Sequence, residues 1–135
     1  MSMIVNRRDL DFILYETLGL EKILESAHYA DYDRESLDAM LDLCQTVAED
    51  QFLSCAAKLD ANEPIFVDGK VETIPELKEA IDAYREAGLC ASAYDADIGG
   101  LQLPWMMDQA LNGMFVCANN PAHIYLFLTQ GVANM

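Results

Sequence analysis

The sequence predicts a mainly α-helical fold, a bundle of about five helices with one short irregular or hairpin arm, and three observations carry that prediction. Apolar residues recur at spacings of three and four through most of the chain, which lines them along one face of a helix. Proline opens and glycine closes one of these stretches, the punctuation expected at helix ends. Around Asp68-Gly69 the pattern gives way to short apolar runs flanking a tight-turn dipeptide. A chain of 135 residues can bury one core but not two, so residues 1–135 are expected to form a single domain.

The first helix is expected over residues 8–18, on the stripe Leu10, Ile13, Leu14 and Leu18, with a continuation over 20–26 after a break at Gly19. The second starts near Asp33, whose carboxylate can cap the free amides of the first turn. Its stripe is long and regular: Leu37, Met40, Leu41, Cys44, Val47, Ala48, Phe52, Cys55 and Leu59. It stops before Pro64, because the residue preceding a proline is pushed out of helical geometry. Residues 65–74 read as a loop or small hairpin, since two short strands alone are marginal. Pro75 at the first helical position and Gly88 just past the end frame the third helix. Residues 89–103 form a loop with Gly99-Gly100 at its centre. A fourth helix runs from Pro104 to about Ala118, and a fifth begins at Asn120-Pro121, with Asn120 as its expected cap. The chain ends at Asn134-Met135, inside that fifth helix.

Charge narrows the partners. With 23 acidic against 8 basic residues the formal net charge is -15, which repels nucleic acid and anionic membrane surfaces. The charge is also uneven. From Gly99 to Met135 the one side chain charged at neutral pH is Asp108, and every lysine and arginine lies at or before Arg85. A helix without a charged face is expected to be covered, as core of its own domain or against another surface. The carboxylates Asp38, Asp42, Glu49 and Asp50 fall on the polar side of the second helix and read as solvated. No apolar run is long enough for a membrane helix. The amino terminus has no signal-peptide pattern, and Cys44, Cys55, Cys90 and Cys117 include no CxxC pair; reduced, buried thiols in a cytoplasmic protein are expected.

Motifs for chemistry are sparse. The acidic run from Asp31 begins like a calcium loop but has Ser36 sixth and Asp42 twelfth, and the run from Asp95 has Met106 twelfth. His28 and His123 have no cysteine at zinc-ligand spacing, so no metal site is expected. Gly99-Gly100 lacks the spacing of a phosphate loop and instead permits positive φ and close packing. No GxSxG is present, and no catalytic residue is assigned. His123, one turn before Phe127, reads as a packed histidine with a satisfied nitrogen. The methionines of the last third, Met106, Met107 and Met114, suit a core or an irregular apolar cavity equally.

Several stretches taken in order resemble a known family. Residues 69–75 (GKVETIP) lead through 83–88 (AYREAG) to 98–104 (IGGLQLP), and 118–121 (ANNP) precede 125–131 (YLFLTQG). Together they are similar to the N-terminal helical domain of acyl-CoA dehydrogenases. Residues 9–16 (DLDFILYE) resemble the branch with an extended amino terminus, which includes the methylmercaptopropionyl-CoA dehydrogenases. Two features depart from the pattern: Gln102 replaces a glycine, and Pro121 and His123 stand where small or aromatic residues are commoner.

The resemblance implies a flavoprotein oxidoreductase of fatty-acid-type β-oxidation, built from this domain, a middle β-domain and a C-terminal helical domain, the last two absent from this chain. Such an enzyme removes an α-proton with a glutamate of the C-terminal domain and passes the β-hydride to FAD. The N-terminal domain would supply a wall of the acyl pocket and part of the flavin cover, without binding FAD or acting on acyl-CoA alone. By the same resemblance Asn112, Met114, Asn119, Tyr125 and Thr129 line the acyl pocket, while Gly99 and Gly100 shape the loop. The expected partners are the two further domains and acyl-CoA, with homo-oligomerisation open. A stand-alone helical interaction or dimerisation protein derived from that domain is the alternative, and a lipid-tail carrier is a third.

Overall fold

The computed structural model describes residues 2–133. It is mainly helical, with one two-stranded hairpin. Helix α1 (Arg7–Asp11) passes into a π-helical turn, Phe12–Thr17, and Gly19 at φ 66° separates it from α2 (Leu20–Leu24). The expected stripe is only half right. Leu14 is buried and Tyr15 joins it, whereas Ile13 and Leu18 stay exposed. The wider i→i+5 turn rotates later residues off the 3.6-residue period on which the stripe was drawn.

The second predicted helix is one long rod: α3 (Arg34–Val47), a π-helical segment Ala48–Leu53, and α4 (Ser54–Ala61). Asp33 caps it reciprocally with Ser36, each side chain accepting from the other's backbone amide. Leu37, Leu41, Cys44, Ala48, Phe52, Cys55 and Leu59 form its buried stripe. Burial pushes the Cys44 thiol up to about 12, so it packs as a small apolar group. Of the carboxylates opposite, Asp50 is exposed as expected, while the other three are also bonded. Asp38 accepts from the Tyr15 hydroxyl at 2.8 Å, Asp42 pairs with Arg7 at 2.5 Å, and Glu49 accepts from Ser2 at 2.5 Å. These three fasten the amino-terminal segment along α3 and the π-helical segment, a long-range pairing that helical spacing does not encode.

Strands β1 (Ile65–Val67) and β2 (Lys70–Glu72) pair antiparallel. Asp68 and Gly69 both take positive φ, 49° and 80°, as the two central residues of a type I′ turn require. Helix α5 (Pro75–Glu86) follows and ends at Gly88, φ 76°. The next loop is folded on itself. Leu101 donates to Ala91 (3.0 Å), Gln102 to Tyr94 (2.8 Å) and Leu103 to Ser92 (2.9 Å) through their main-chain amides. Gly99 sits at φ 87°, and a Cβ on Gly100 would collide with the Tyr94 carbonyl. Gln102 holds φ 53° without being glycine. Its amide accepts from Ala96 N (3.0 Å) and donates to His28 O (2.5 Å), which offsets the cost of the left-handed conformation.

The last helical span, Trp105–Ala133, is two helices joined at Asn119, whose φ of -162° and ψ of 85° are extended. We label them α6 (105–118) and α7 (120–133). Asn119, not Asn120, is the cap: its Oδ1 accepts from Ala122 N at 3.2 Å, and its Nδ2 donates to Phe52 O at 3.0 Å. The break therefore falls one residue earlier than expected, because a cap is chosen by what its side chain can reach. The core lies where α3, α4, α5, α6 and α7 meet, around Phe52, Tyr84, Phe115 and Leu126. Asn134 and Met135 lie outside the described residues.

Candidate functional site

A cavity of about 360 Å³ opens between the 89–103 loop, the start of α6 and the end of α7. Tyr94, Trp105 and Phe127 supply its aromatic wall. Ser92, Asp108, Asn112 and Gln130 supply the polar groups. This size lies at the lower end of the range of small-ligand pockets, and mostly apolar walls with few placed polar groups are typical of them.

The polar groups form one connected network. Asp108, in the first turn of α6, is 5% exposed and accepts from the Ser92 hydroxyl, from Gln109 Nε2 (3.0 Å) and from Asn112 Nδ2 (3.1 Å). No cationic side chain bonds to it among the described residues. Its charge rests on those three donors and on the positive end of the α6 dipole. Since Asn112 spends its amide nitrogen on Asp108, its Oδ1 is left to accept, from Tyr84 OH (3.2 Å) and from His123 Nε2 (3.0 Å). The assignment places the histidine proton on Nε2. Gln130 closes the network by donating to Tyr84 OH (3.3 Å) and Leu89 O (3.1 Å).

His123 is 1% exposed and stacks on Phe115, with rings 11° from parallel, as a packed histidine with a satisfied nitrogen. Burial lowers its pKa, with the nearby Asp108 charge opposing the shift. The sign for stability follows. A group with a depressed folded pKa contributes fully above the unfolded value of about 6.5 and loses that contribution as pH falls toward the folded one. Acid unfolding of the native chain should thus show a loss of stability beginning below about pH 6.5 that is absent from a folded His123→Gln variant, read by melting temperature against pH.

The residues proposed from resemblance are scattered. Asn112 lines the cavity. Met114 is buried in the core and Asn119 at the α6–α7 junction. Tyr125 and Thr129 lie on the outer face of α7. That outer face is the second notable surface: Ile124, Tyr125, Phe127, Leu128 and Val132 all stay exposed, Leu128 at 60% and Val132 at 69%. The uncharged last third is thus split lengthwise, with Met107, Leu111, Met114, Phe115, Ala122 and Leu126 inward and an apolar strip outward. Asp108, Ser92 and Gln130 line the cavity and are not among the residues the resemblance implies. The isolation of Asp108 as the one charge after Gly99 was a usable signal; Ser92 and Gln130 carried none, because their roles depend on loop folding.

Among the described residues no group of three or more His, Cys, Asp or Glu side chains is arranged to hold a metal. Cys44 and Cys55 are buried, but Cys90 and Cys117 are exposed, so the expectation of buried thiols holds for two of the four; all four are free. No helix among these residues is long and apolar enough to cross a membrane.

Fold and site together define a helical domain with a small polar-floored cavity and an uncovered apolar helix face. No protein-family model matches the chain. The chain is similar to the broad-specificity linear acyl-CoA dehydrogenase of Mycobacterium tuberculosis, with 31% identity over 123 residues. That match takes in 89% of this chain and 20% of the relative, so the chain spans about a fifth of the relative's length. The likeness is thus to one part of an acyl-CoA dehydrogenase, and it does not distinguish the branch with an extended amino terminus.

Proposed function

We propose that this chain is the N-terminal helical domain of an FAD-dependent acyl-CoA dehydrogenase, joined in function to a middle β-domain and a C-terminal helical domain. The similarity to such an enzyme, across 89% of this chain and 20% of the relative, carries the reading. The outward strip of α7 supports it, because a row of exposed apolar side chains without a charge is the composition of a covered interface. In this reading the strip and the adjoining Tyr125 and Thr129 face the other domains, the flavin and the acyl tail. Asn112 and the cavity wall lie on the tail's side. The catalytic base and nucleotide cradle belong to the other domains, and FAD is theirs to hold. CoA carries several phosphates, and the absence of lysine and arginine after Arg85 leaves its charge to be met elsewhere.

Affinity isolation from the source cells tests this. The expected result is recovery with peptides of a β-domain and a C-terminal helical domain, flavin absorbance, and bleaching on addition of acyl-CoA. Recovery as a 15.0 kDa species free of flavin and of such peptides would overturn it. A companion prediction concerns the 135 residues alone: purified and mixed with FAD, they are expected to retain no stoichiometric flavin after gel filtration. Stoichiometric absorbance near 450 nm would contradict that. The same strip supports a second reading, a stand-alone domain that dimerises through α7. Sedimentation separates the two, since a concentration-dependent dimer abolished by Leu128→Glu favours the second.

A further inference from the structure

We propose that the cavity selects a ligand with an apolar body ending in a hydrogen-bond donor, an ammonium or a hydroxyl, and rejects carboxylate-ended and wholly hydrocarbon ones. The inference deepens the reading above and rests on it for the ligand's origin, as the tail of an acyl group. Its test needs neither flavin nor turnover, so the two can fail separately.

The argument starts from Asp108. A carboxylate 5% exposed would ordinarily be paired with a cation, yet among the described residues no cationic side chain bonds to it. The chain has no lysine or arginine beyond Arg85 to supply one. Three neutral donors satisfy part of its hydrogen-bonding capacity, and two carboxylate oxygens offer about four lone-pair sites. One acceptor site is therefore left, and beyond those donors and the end of the α6 dipole no cationic side chain among the described residues balances the charge. Asp108 lines the cavity, and so do Ser92 and Asn112, which hold it from either side. The carboxylate is thus fixed in direction by its own partners, as a recognition group has to be.

The walls settle the rest of the ligand. Tyr94, Trp105 and Phe127 are aromatic, and such faces favour an apolar body and tolerate a cation. A hydrocarbon end would remove water from Asp108 without replacing its hydrogen bonds, which costs more than its own burial returns. An anionic end would meet the carboxylate directly, in a chain of net charge -15. A cavity of about 360 Å³ suits a ring or a short chain better than a long acyl tail.

The test uses four probes with one body: 2-phenylethylammonium, 2-phenylethanol, ethylbenzene and phenylacetate. Trp105 is the chain's one tryptophan and lies at the cavity, so its fluorescence reports occupancy, with calorimetry as the second readout. The alcohol is expected to bind on the order of tenfold or more tighter than ethylbenzene, the ammonium tighter than the alcohol, and phenylacetate weakest. In D108N, the ammonium's advantage over the alcohol should disappear. An ammonium preference that survives D108N belongs to the net charge and overturns the assignment. So does equal binding of ethylbenzene and the alcohol, or no binding of any probe. Should D108N fail to fold, the alcohol-to-hydrocarbon ratio in the unaltered chain decides the question, because net charge does not contribute to it.

Discussion

Truncating Phe115 to alanine is expected to destabilise the fold by about 3–5 kcal/mol, the largest effect of any single substitution considered for this chain. Phe115 is fully buried and sits at the centre of an aromatic cluster. Its ring meets Phe52 at 4.9 Å and Tyr84 at 4.8 Å, both edge to face, and stacks on His123 at 6.3 Å. Those three partners come from the π-helical segment of the long rod, from α5 and from α7. The cavity left behind would therefore lie at a junction of four elements, none of which can collapse into it without dragging a neighbour. Aromatic edge-to-face contacts add to the loss of area. Urea unfolding followed by far-ultraviolet circular dichroism measures it, as a lower midpoint at unchanged slope. A loss below about 1 kcal/mol would mean that the cluster is not the centre of the core.

Asn119→Ala should cost nearly as much, about 2–4 kcal/mol, for a different reason. One side chain does two jobs there. Its carbonyl caps α7 at Ala122 N, and its amide satisfies the buried carbonyl of Phe52. Alanine removes the cap and takes from the buried Phe52 carbonyl its amide donor, leaving it the weaker Cys55 thiol at 3.4 Å. Asn119→Asp separates the contributions, because a carboxylate still caps a helix but has no amide hydrogen to give to Phe52. The aspartate variant should thus fall between wild type and alanine, unless the buried charge costs more than the cap returns. Protection of the α7 amides from hydrogen exchange reads the cap directly. Protection of α7 as high in Asn119→Ala as in wild type would show that the junction holds without its cap.

Much of the fold was legible in the residues. The stripe from Leu37 to Leu59 is long enough that its period could not be mistaken, and all but Met40 and Val47 of its members are fully buried. Asp68-Gly69, Pro75 and Gly88 acted as punctuation because each solves a local backbone problem that needs no partner: positive φ, a missing amide, or a left-handed stop. The site was less legible. Asn112 is the member of the expected set that lines the cavity, while Ser92 and Gln130 reach it only because the 89–103 loop folds back and α7 turns at Asn119. The first stripe failed at Ile13 and Leu18 because a π-helical turn changes the period without leaving a sequence mark.

The sequence by itself determined the helical class, the hairpin turn, the main helix boundaries and the exclusion of charge from the last third. All of these follow from backbone sterics and from the 3.6-residue period, which act within a few residues. Only the tertiary structure decided how that uncharged third is divided. Met107, Phe115 and Leu126 face the core, while Leu128 and Val132 remain open, and Asp108 is enclosed beside a cavity instead of facing water. Composition shows that a helix wants cover, but which of its faces this chain covers depends on where α3, α4 and α5 have left room for it.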